Sequence, residues 1–192
     1  ESRSCVGLDE STIRNLELVA NLHDNSRRYT LLETVTETRT AMGARLLRRW
    51  LLAPLRDPDE IRARQEQVTL LYRNQRELGR LREELASVLD VERLAGRVAM
   101  ERAHAKDLVA IRDSLDHALR LVEILDAGPL ARLDYCRSFD EAGRAACATL
   151  RDELARALLD EPSTLLTEGR MIRSGYSDEL DELHGLRDNS RG

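Results

Sequence analysis

Histidine and cysteine are the side chains here best suited to metal binding and nucleophilic chemistry, and both are few and scattered. They stand at His23, His104, His117, His184, Cys5, Cys136 and Cys147. Neither set has the close spacing that places two ligands of one metal ion together. An odd number of cysteines without a C-x-x-C pair argues against a disulfide framework or zinc site and favours a reducing compartment. We predict that the cysteines are buried small hydrophobic residues.

Acidic residues and phosphate-binding loops complete the search for reacting groups. His23 and Asp24 form a pair that resembles the signature of HD phosphohydrolases, but no histidine precedes it to complete a metal site. The acidic stretches at 160–163 and 177–184 are typical of helix boundaries and solvated helix faces. The sequence contains neither a G-x-x-x-x-G-K-[ST] loop nor a G-x-G-x-x-G motif. It therefore predicts no catalytic, no cofactor-binding and no metal-ligating residue in this chain.

The remaining candidate for a functional surface is the arginine-rich segment 38–55, TRTAMGARLLRRWLLAPL. At 100° per residue its apolar side chains gather on one half of a helix, and Arg45, Arg48 and Arg49 gather opposite. A core-facing helix with a solvated arginine face explains this pattern best. Contact between the arginines and DNA phosphates is the alternative.

Two residues on the apolar half of this segment predict how it packs. Trp50, the only tryptophan, lies in the middle of that half, so we expect it to be mostly buried. Gly43 lies on the same half, where a missing side chain would let a neighbouring backbone approach closely. Thr40 near the start of the segment and Pro54 near its end are typical of a helix cap and a helix stop.

The composition of the whole chain limits the classes of protein to consider. Its 192 residues suffice for one domain or one and a half, and 42% hydrophobic with 34% charged residues is typical of a soluble helical protein. A net charge of −5 gives no overall attraction to phosphate, and 3% aromatic residues are too few for a base-stacking surface. Without an apolar run of membrane-spanning length or a signal peptide, we predict a cytoplasmic protein that contacts no membrane.

Hydrophobic periodicity and cap residues predict a succession of helices. Apolar spacings of three and four residues fall in 9–21, 30–35, 40–53, 58–89 with a break near Asn74, 91–100, 106–125 and 140–159. Asp57 followed by Pro58 is a strong helix start, and Gly128 followed by Pro129 is a strong helix stop.

The period changes after residue 163. Two short apolar runs surround a TEG sequence, which indicates a hairpin centred near Gly169, and Ser177 can cap a last helix. We predict a mainly α fold with an irregular multi-helix core and a small β-hairpin near 164–176. The expected domain limits are 1–7 for a lead-in, 8–163 for the helical core, 164–177 for the hairpin, and 178–192 for the start of a lever-type helix.

Five stretches of the sequence, taken in order, carry a resemblance to one protein family. They are LDESTIRNLEL (8–18), TLLETVTETRTAMGARLLRRWLLAPL (30–55), DVERLAGRV (90–98), AKDLVAIRDSL (105–115) and IRSGYSDELDEL (172–183). Together they resemble the first half of the core domain of the MutS family of DNA mismatch-repair proteins, whereas 126–163 contributes little to the resemblance. The sequence departs from the family at Ala41 and Ala105, where the family often has proline.

The resemblance implies a scaffold that couples mismatch-DNA binding and the clamp to the ATPase in a full-length protein. The mismatch-reading domain, the clamp and the ATPase are not in this sequence, so we expect a fragment whose last helix leads towards a missing clamp. For the full-length family the resemblance implies ATP and Mg²⁺ as cofactors. It implies mismatched duplex DNA, MutL and a second MutS subunit as partners. For the fragment we expect no cofactor, no enzyme activity, and little or no DNA binding.

Two other classes of protein stay open on the sequence. A stand-alone helical protein–protein interaction module would have the same long amphipathic helices, and a helical enzyme would need a reactive cluster that forms only on folding. A reading frame that continues from Gly192 into a clamp and a Walker A loop would exclude the stand-alone module. A screen for metal-dependent hydrolysis tests the enzyme.

Overall fold

The computed structural model describes residues 5–133, 139–163, 169 and 171–189, with side chains up to residue 186, and this part of the chain is mainly helical. The 3-10 turn Gly128–Arg132 follows the seventh helix. The α-helices are α1 (Glu10–Asn15), α2 (Leu31–Val35), α3 (Ala41–Leu52), α4 (Pro58–Arg73), α5 (Gln75–Ser87), α6 (Val91–Ala99), α7 (Ala105–Asp126), α8 (Glu141–Ala157) and α9 (Asp178–Asn189).

The starts of the helices follow from side chains that accept unpaired backbone N–H groups. The Thr40 hydroxyl accepts from Gly43 N–H at 2.9 Å, which confirms the predicted start of α3. Asp57 accepts from Asp59 N–H at 2.7 Å, and Pro58 occupies the first helical position of α4 as expected. At the end of α7, Gly128 adopts a left-handed φ of 60°, the conformation predicted for the helix stop.

The first helix is shorter than its apolar pattern predicts. Asp9 caps α1, accepting from Thr12 N–H at 2.6 Å, but the helix ends at Asn15 rather than continuing to residue 21. Glu17 has a φ of 46°, which lies in the left-handed region and cannot continue a right-handed helix. The apolar spacing beyond Asn15 therefore belongs to a turn, in which Leu18 is buried.

The chain forms two compact units, and neither is continuous in sequence. The first comprises Glu1–Asp90 and Arg120–Cys136, and the second comprises Val91–Leu119 and Arg137–Gly192. The buried core of the first unit consists of Leu81, Ile124, Leu130 and Leu133, with Leu70, Leu71, Leu121 and Leu125 packed against it. Buried apolar residues of the second unit are Leu94, Ala105, Ile111, Ala157 and Leu158. The domain limits expected from the sequence stay predictions.

The predicted β-hairpin near 164–176 is wrong, because the described residues contain no strand. Residues 164–168 and 170 lie outside the described part of the chain. Ile172 instead forms one isolated antiparallel bridge with Leu158, directly after α8. Leu159 N–H donates to Met171 O at 3.0 Å, and Arg173 N–H donates to Ala157 O at 2.8 Å. These backbone groups are thus paired with the end of α8 and not across a turn at Gly169.

Among the residues that the structure describes, no helix combines the length and the apolar character needed to span a membrane.

Candidate functional site

The three arginines singled out on α3 do not act as one surface. Arg45 makes a two-pronged ion pair with Asp90, with nitrogen–oxygen distances of 2.7 and 2.8 Å. This geometry matches the planar guanidinium to a carboxylate and ties α3 to the residue before α6. Arg48 and Arg49 are exposed. The structure therefore assigns Arg45 to internal architecture and leaves two of the three predicted arginines on the solvent side.

The apolar half of α3 is less enclosed than a core helix, since no residue of α3 is fully buried. Trp50, expected to be mostly buried, has intermediate exposure, and the Arg64 guanidinium covers its ring at 3.8 Å from the centroid. A Cβ atom on Gly43 would lie 3.0 Å from Thr40 Oγ1. The closest neighbours of Gly43 are therefore side-chain atoms at the helix cap, and not the neighbouring backbone that we expected.

An open groove of about 730 Å³ lies between α3 and α4. Its walls are mostly apolar and include the tryptophan of the opening segment. The lining residues are Leu47, Trp50, Leu51, Pro54, Leu55, Ile61, Arg64, Gln65, Val68 and Thr69. No described polar cluster in this groove has the geometry of a nucleophile paired with a base, and most of its lining side chains are apolar.

The second unit contains an ion-pair cluster that the sequence did not indicate. Asp160 accepts from Arg112 at 2.8 Å and from Arg173 at 2.9 Å, and Arg173 Nε also donates to Leu158 O at 2.6 Å. Hydrogen bonds from Arg173 and then from Arg112 lower the pKa of the Asp160 carboxyl. Asp160 was interpreted as part of a helix boundary. In the structure the Asp160 side chain joins α7 to the segment that follows Gly169.

The start of α7 is fixed by a carboxylate that lies inside the helix. The Asp107 side chain accepts from His104 N–H at 3.0 Å and pairs with Arg97 at 2.6 Å. The hydrogen bond from His104 N–H is the main reason that the pKa of Asp107 lies below its ordinary value, and the positive charge of Arg97 adds to it. Asp107 thus holds α7 against α6 and satisfies the N–H group that directly precedes α7.

The His-Asp pair at 23–24 belongs to a turn organised by the buried side chain of Asn21. The Asn21 amide oxygen accepts from His23 N–H at 3.0 Å and from Asp24 N–H at 2.9 Å. Its amide nitrogen donates to Arg28 O at 3.0 Å. These hydrogen bonds engage the backbone N–H groups of His23 and Asp24 and thereby fix the two residues in the turn. Asn21 was missed because asparagine occurs equally in exposed loops.

Within the ranges that the structure describes, no group of three or more histidine, cysteine, aspartate or glutamate side chains is arranged to hold a metal ion. Cys5 and Cys147 have intermediate exposure, so their predicted burial is partial, and Cys136 lies outside the described residues. What the described residues do provide is a set of helices joined by cap bonds and by ion pairs. The fold and these contacts place the chain in the class of mainly helical proteins.

Comparisons with known proteins identify the family of this helical chain. Residues 11–191 match the family model described as MutS domain III. Curated proteins named DNA mismatch repair protein MutS are similar to the chain in several organisms. The Treponema denticola protein is 38% identical over 185 residues, which is 96% of this chain and 20% of the relative. The Salinibacter ruber protein is 41% identical over 181 residues, 94% of this chain and 20% of the relative. The Bacillus velezensis protein is 36% identical over 192 residues, 100% of this chain and 22% of the relative.

The chain belongs to the MutS domain III family. It spans about a fifth of the length of the curated relatives that it matches. The resemblance drawn from the five ordered stretches is thereby confirmed, and the chain is a core-domain segment of the MutS type.

Proposed function

We propose that this chain serves as the helical scaffold of a MutS-type mismatch-repair protein and couples mismatch-DNA binding and the clamp to an ATPase elsewhere in that protein. The match of residues 11–191 to MutS domain III carries the proposal. The Arg45–Asp90 and Asp107–Arg97 pairs support it, because the first ties α3 to the residue before α6 and the second ties α7 to α6. Coupling between distant sites requires elements stiff enough to move as units.

The remaining expectations for the whole protein follow from this role. The segment itself contributes no catalytic group, and ATP with Mg²⁺ binds in another domain of the full-length protein. Mismatched duplex DNA, MutL and a second MutS subunit are partners of that full-length protein, which acts in the cytoplasm. Each of these statements is part of the proposal and rests on the family relationship.

A chimera tests the scaffold role directly. The matching 185-residue segment of the Treponema denticola protein is replaced by the corresponding residues of this chain. We expect the purified chimera to bind a mismatched duplex more tightly than a matched one and to hydrolyse ATP in response to the mismatch. Fluorescence anisotropy and a coupled ATPase assay measure the two properties.

A second chimera with Arg45→Glu tests whether the Arg45–Asp90 ion pair is needed for coupling. It places two like charges at the Arg45–Asp90 contact, while leaving the residues of the DNA and ATP domains unchanged. We expect it to lose more of the mismatch dependence of ATP hydrolysis than of basal hydrolysis. The proposal is wrong if the first chimera is folded and binds the mismatch, yet hydrolyses ATP independently of DNA.

A further inference from the structure

The last helix of the second unit, α9, is connected to the end of α8 through a single backbone contact. Leu158 and Ile172 form an isolated bridge, which joins the end of α8 to the segment 171–176 before α9. Arg173 N–H donates to Ala157 O at 2.8 Å beside this bridge. An isolated pair of short extended segments is only marginally stable. Other contacts must therefore set the direction in which α9 leaves the bridge.

The apolar residues of α9 do little to set that direction. No side chain described on α9 is fully buried. Leu183 is 56% exposed and Leu186 is 67% exposed. A helix in a folded domain is usually held in place by burial of an apolar face. Within the described part of the second unit, the polar contacts at its start are thus the main candidates for holding α9.

The side chain of Arg173 supplies the first of these contacts. Its Nε donates to Leu158 O at 2.6 Å, and its Nη2 donates to Asp160 Oδ2 at 2.9 Å. The second carboxylate oxygen, Asp160 Oδ1, accepts from Arg112 Nη1 on α7 at 2.8 Å. Because a planar guanidinium donates in fixed directions, these bonds orient the segment against both the end of α8 and α7.

Two further hydrogen bonds continue from this segment into α8 and α9. The Tyr176 hydroxyl donates to Glu153 Oε1 on α8 at 2.6 Å, and this bond raises the pKa of Tyr176. Gly175 has a φ of 85°, which turns the chain, and its N–H donates to Asp181 Oδ2 in the first turns of α9 at 2.6 Å. The start of α9 is thus connected through segment 171–176 to α8 and α7.

The exposure of the ion pair indicates that it acts on position more than on stability. The Asp160 side chain is 71% exposed and the Arg173 side chain 39%, so water screens their attraction. Ion pairs of this exposure contribute little to the free energy of unfolding. What the paired guanidinium and carboxylate retain is their geometry.

We propose that Arg173 is a positioning residue that makes α8, the start of α9 and residues 105–119 of α7 move as one body. A force on α9 then reaches α7 through Arg173, Asp160 and Arg112. The inference rests on the proposed scaffold role and deepens it, because it assigns coupling within the second unit to one side chain. Coupling of distant sites requires such a stiff connection.

Residual dipolar couplings of backbone N–H groups measure whether two helices move together. In the wild-type chain, α8 and residues 180–184 of α9 should fit a single alignment tensor. Arg173→Gln should abolish this agreement, with the couplings of α9 shrinking towards zero while those of α8 stay unchanged. Couplings of α9 that keep their wild-type values overturn the proposal.

Two variants control this experiment. Arg151 on α8 pairs with Asp116 on α7 at 3.4 Å, and no contact with segment 171–176 is found for it among the described residues. Arg151→Gln should therefore leave α9 aligned with α8, and an equal loss of alignment in it contradicts a specific role for Arg173. Arg173→Lys keeps the charge but not the planar donor set, so it should loosen α9 in part. It replaces Arg173→Gln if circular dichroism shows that Arg173→Gln is unfolded.

The chimera with the Treponema denticola protein tests the coupling itself. With Arg173→Gln we expect basal ATP hydrolysis and mismatch binding to persist, and the stimulation of hydrolysis by a mismatch to fall about fivefold or more. The Arg151→Gln chimera should keep its stimulation. A general loss of stability would not separate basal from stimulated hydrolysis in this way.

The outcomes distinguish this inference from the proposal on which it rests. If the chimera without substitutions is not stimulated by a mismatch, the scaffold role is wrong and coupling through Arg173 is wrong with it. The dipolar couplings then still decide whether Arg173 positions α9. If that chimera is stimulated and Arg173→Gln leaves the stimulation intact, the scaffold role stands and the assignment to Arg173 is overturned.

Discussion

At the scale of single residues, Arg45 illustrates how one side chain of a basic cluster differs from its neighbours. The Arg45 side chain is 37% exposed and the Asp90 side chain 17%, so water screens the pair only in part. Arg45→Met should lower the free energy of unfolding by about 1–2 kcal/mol, since Asp90 would lose two charge-assisted hydrogen bonds. Urea titration followed by circular dichroism measures this change.

Arg48→Met is the matched control for Arg45, because it removes the same charge from an exposed position on the same helix. It should change the free energy of unfolding by less than about 0.5 kcal/mol. A double-mutant cycle of Arg45→Met with Asp90→Asn separates the free energy of the pair from any other contribution of Asp90. Equal effects of the two arginine substitutions would show that the ion pair adds nothing to stability.

Asp107 should make the stability of the second unit depend on pH in the acid range. The hydrogen bond from His104 N–H, followed by the charge of Arg97, holds the pKa of Asp107 below 3.8 in the folded chain. A carboxyl group with a lowered folded pKa stabilises the fold above its unfolded pKa and loses that contribution as pH falls through the folded value. Asp107→Asn should therefore destabilise the protein at neutral pH and flatten the loss of stability below about pH 4.

Urea midpoints from neutral pH down to the acid limit of folding test this expectation. Glu161→Gln, which removes an exposed carboxylate, controls for the change in net charge. If Asp107→Asn and the wild-type chain lose stability with the same slope in acid, the carboxylate does not contribute through its ionised form.

At the scale of helices, two glycines should respond differently to the same substitution. A Cβ on Gly79, inside α5, would meet nothing within 4 Å, whereas one on Gly43 would lie 3.0 Å from Thr40 Oγ1. Gly79→Ala should raise the free energy of unfolding by about 0.5–1 kcal/mol through helix propensity. Gly43→Ala should gain less or lose stability, because the hydroxyl that caps α3 must move.

Combining Gly43→Ala with Thr40→Ala distinguishes this explanation from a clash elsewhere. With the cap hydroxyl removed, alanine at position 43 should be more favourable than it is in the wild-type background. Thermal unfolding of the four proteins gives the coupling free energy. A gain at position 43 that is equal in both backgrounds would exclude the Thr40 contact as the cause.

The same elements show what the sequence can and cannot determine. The starts of α3 and α4 were predicted because Thr40 and Asp57 act on backbone groups within three residues. The prediction of a hairpin was wrong because Ile172 pairs with Leu158, which precedes the expected hairpin in the sequence. The role of Asp160 was missed for the same reason, since Arg112 lies 48 positions away. Helix caps can therefore be predicted from the sequence, whereas contacts between side chains that are distant in the sequence cannot.

At the scale of the whole molecule, the family was predictable and the partition into units was not. Five ordered stretches sufficed to indicate MutS, and the match over 11–191 confirmed it. The joining of 120–136 to the first ninety residues depends on the packing of Leu130 and Leu133 against Leu81. Periodicity shows which face of each helix is apolar, but not which apolar face it meets.

DNA binding is the property of the whole chain that its charge predicts most directly. The net charge of −5 repels phosphate overall, and Arg45 is held by Asp90, which leaves Arg48 and Arg49 as the exposed arginines of α3. Contacts from a few such residues release counterions, so they are weak, independent of sequence and sensitive to salt. We expect a dissociation constant on the order of 10⁻⁴ M at physiological salt.

Recognition of a mispair needs more than phosphate contacts, because it must sense base stacking or the ease with which the duplex bends. A chain with 3% aromatic residues offers little surface for stacking on bases. Fluorescence anisotropy with matched and mismatched duplexes at two salt concentrations should therefore give equal affinities that fall together as salt rises. Arg48→Gln with Arg49→Gln should weaken both equally. A tenfold preference for the mismatch at the higher salt would instead mean that this segment reads DNA itself, and the scaffold proposal would then have to be replaced by direct recognition.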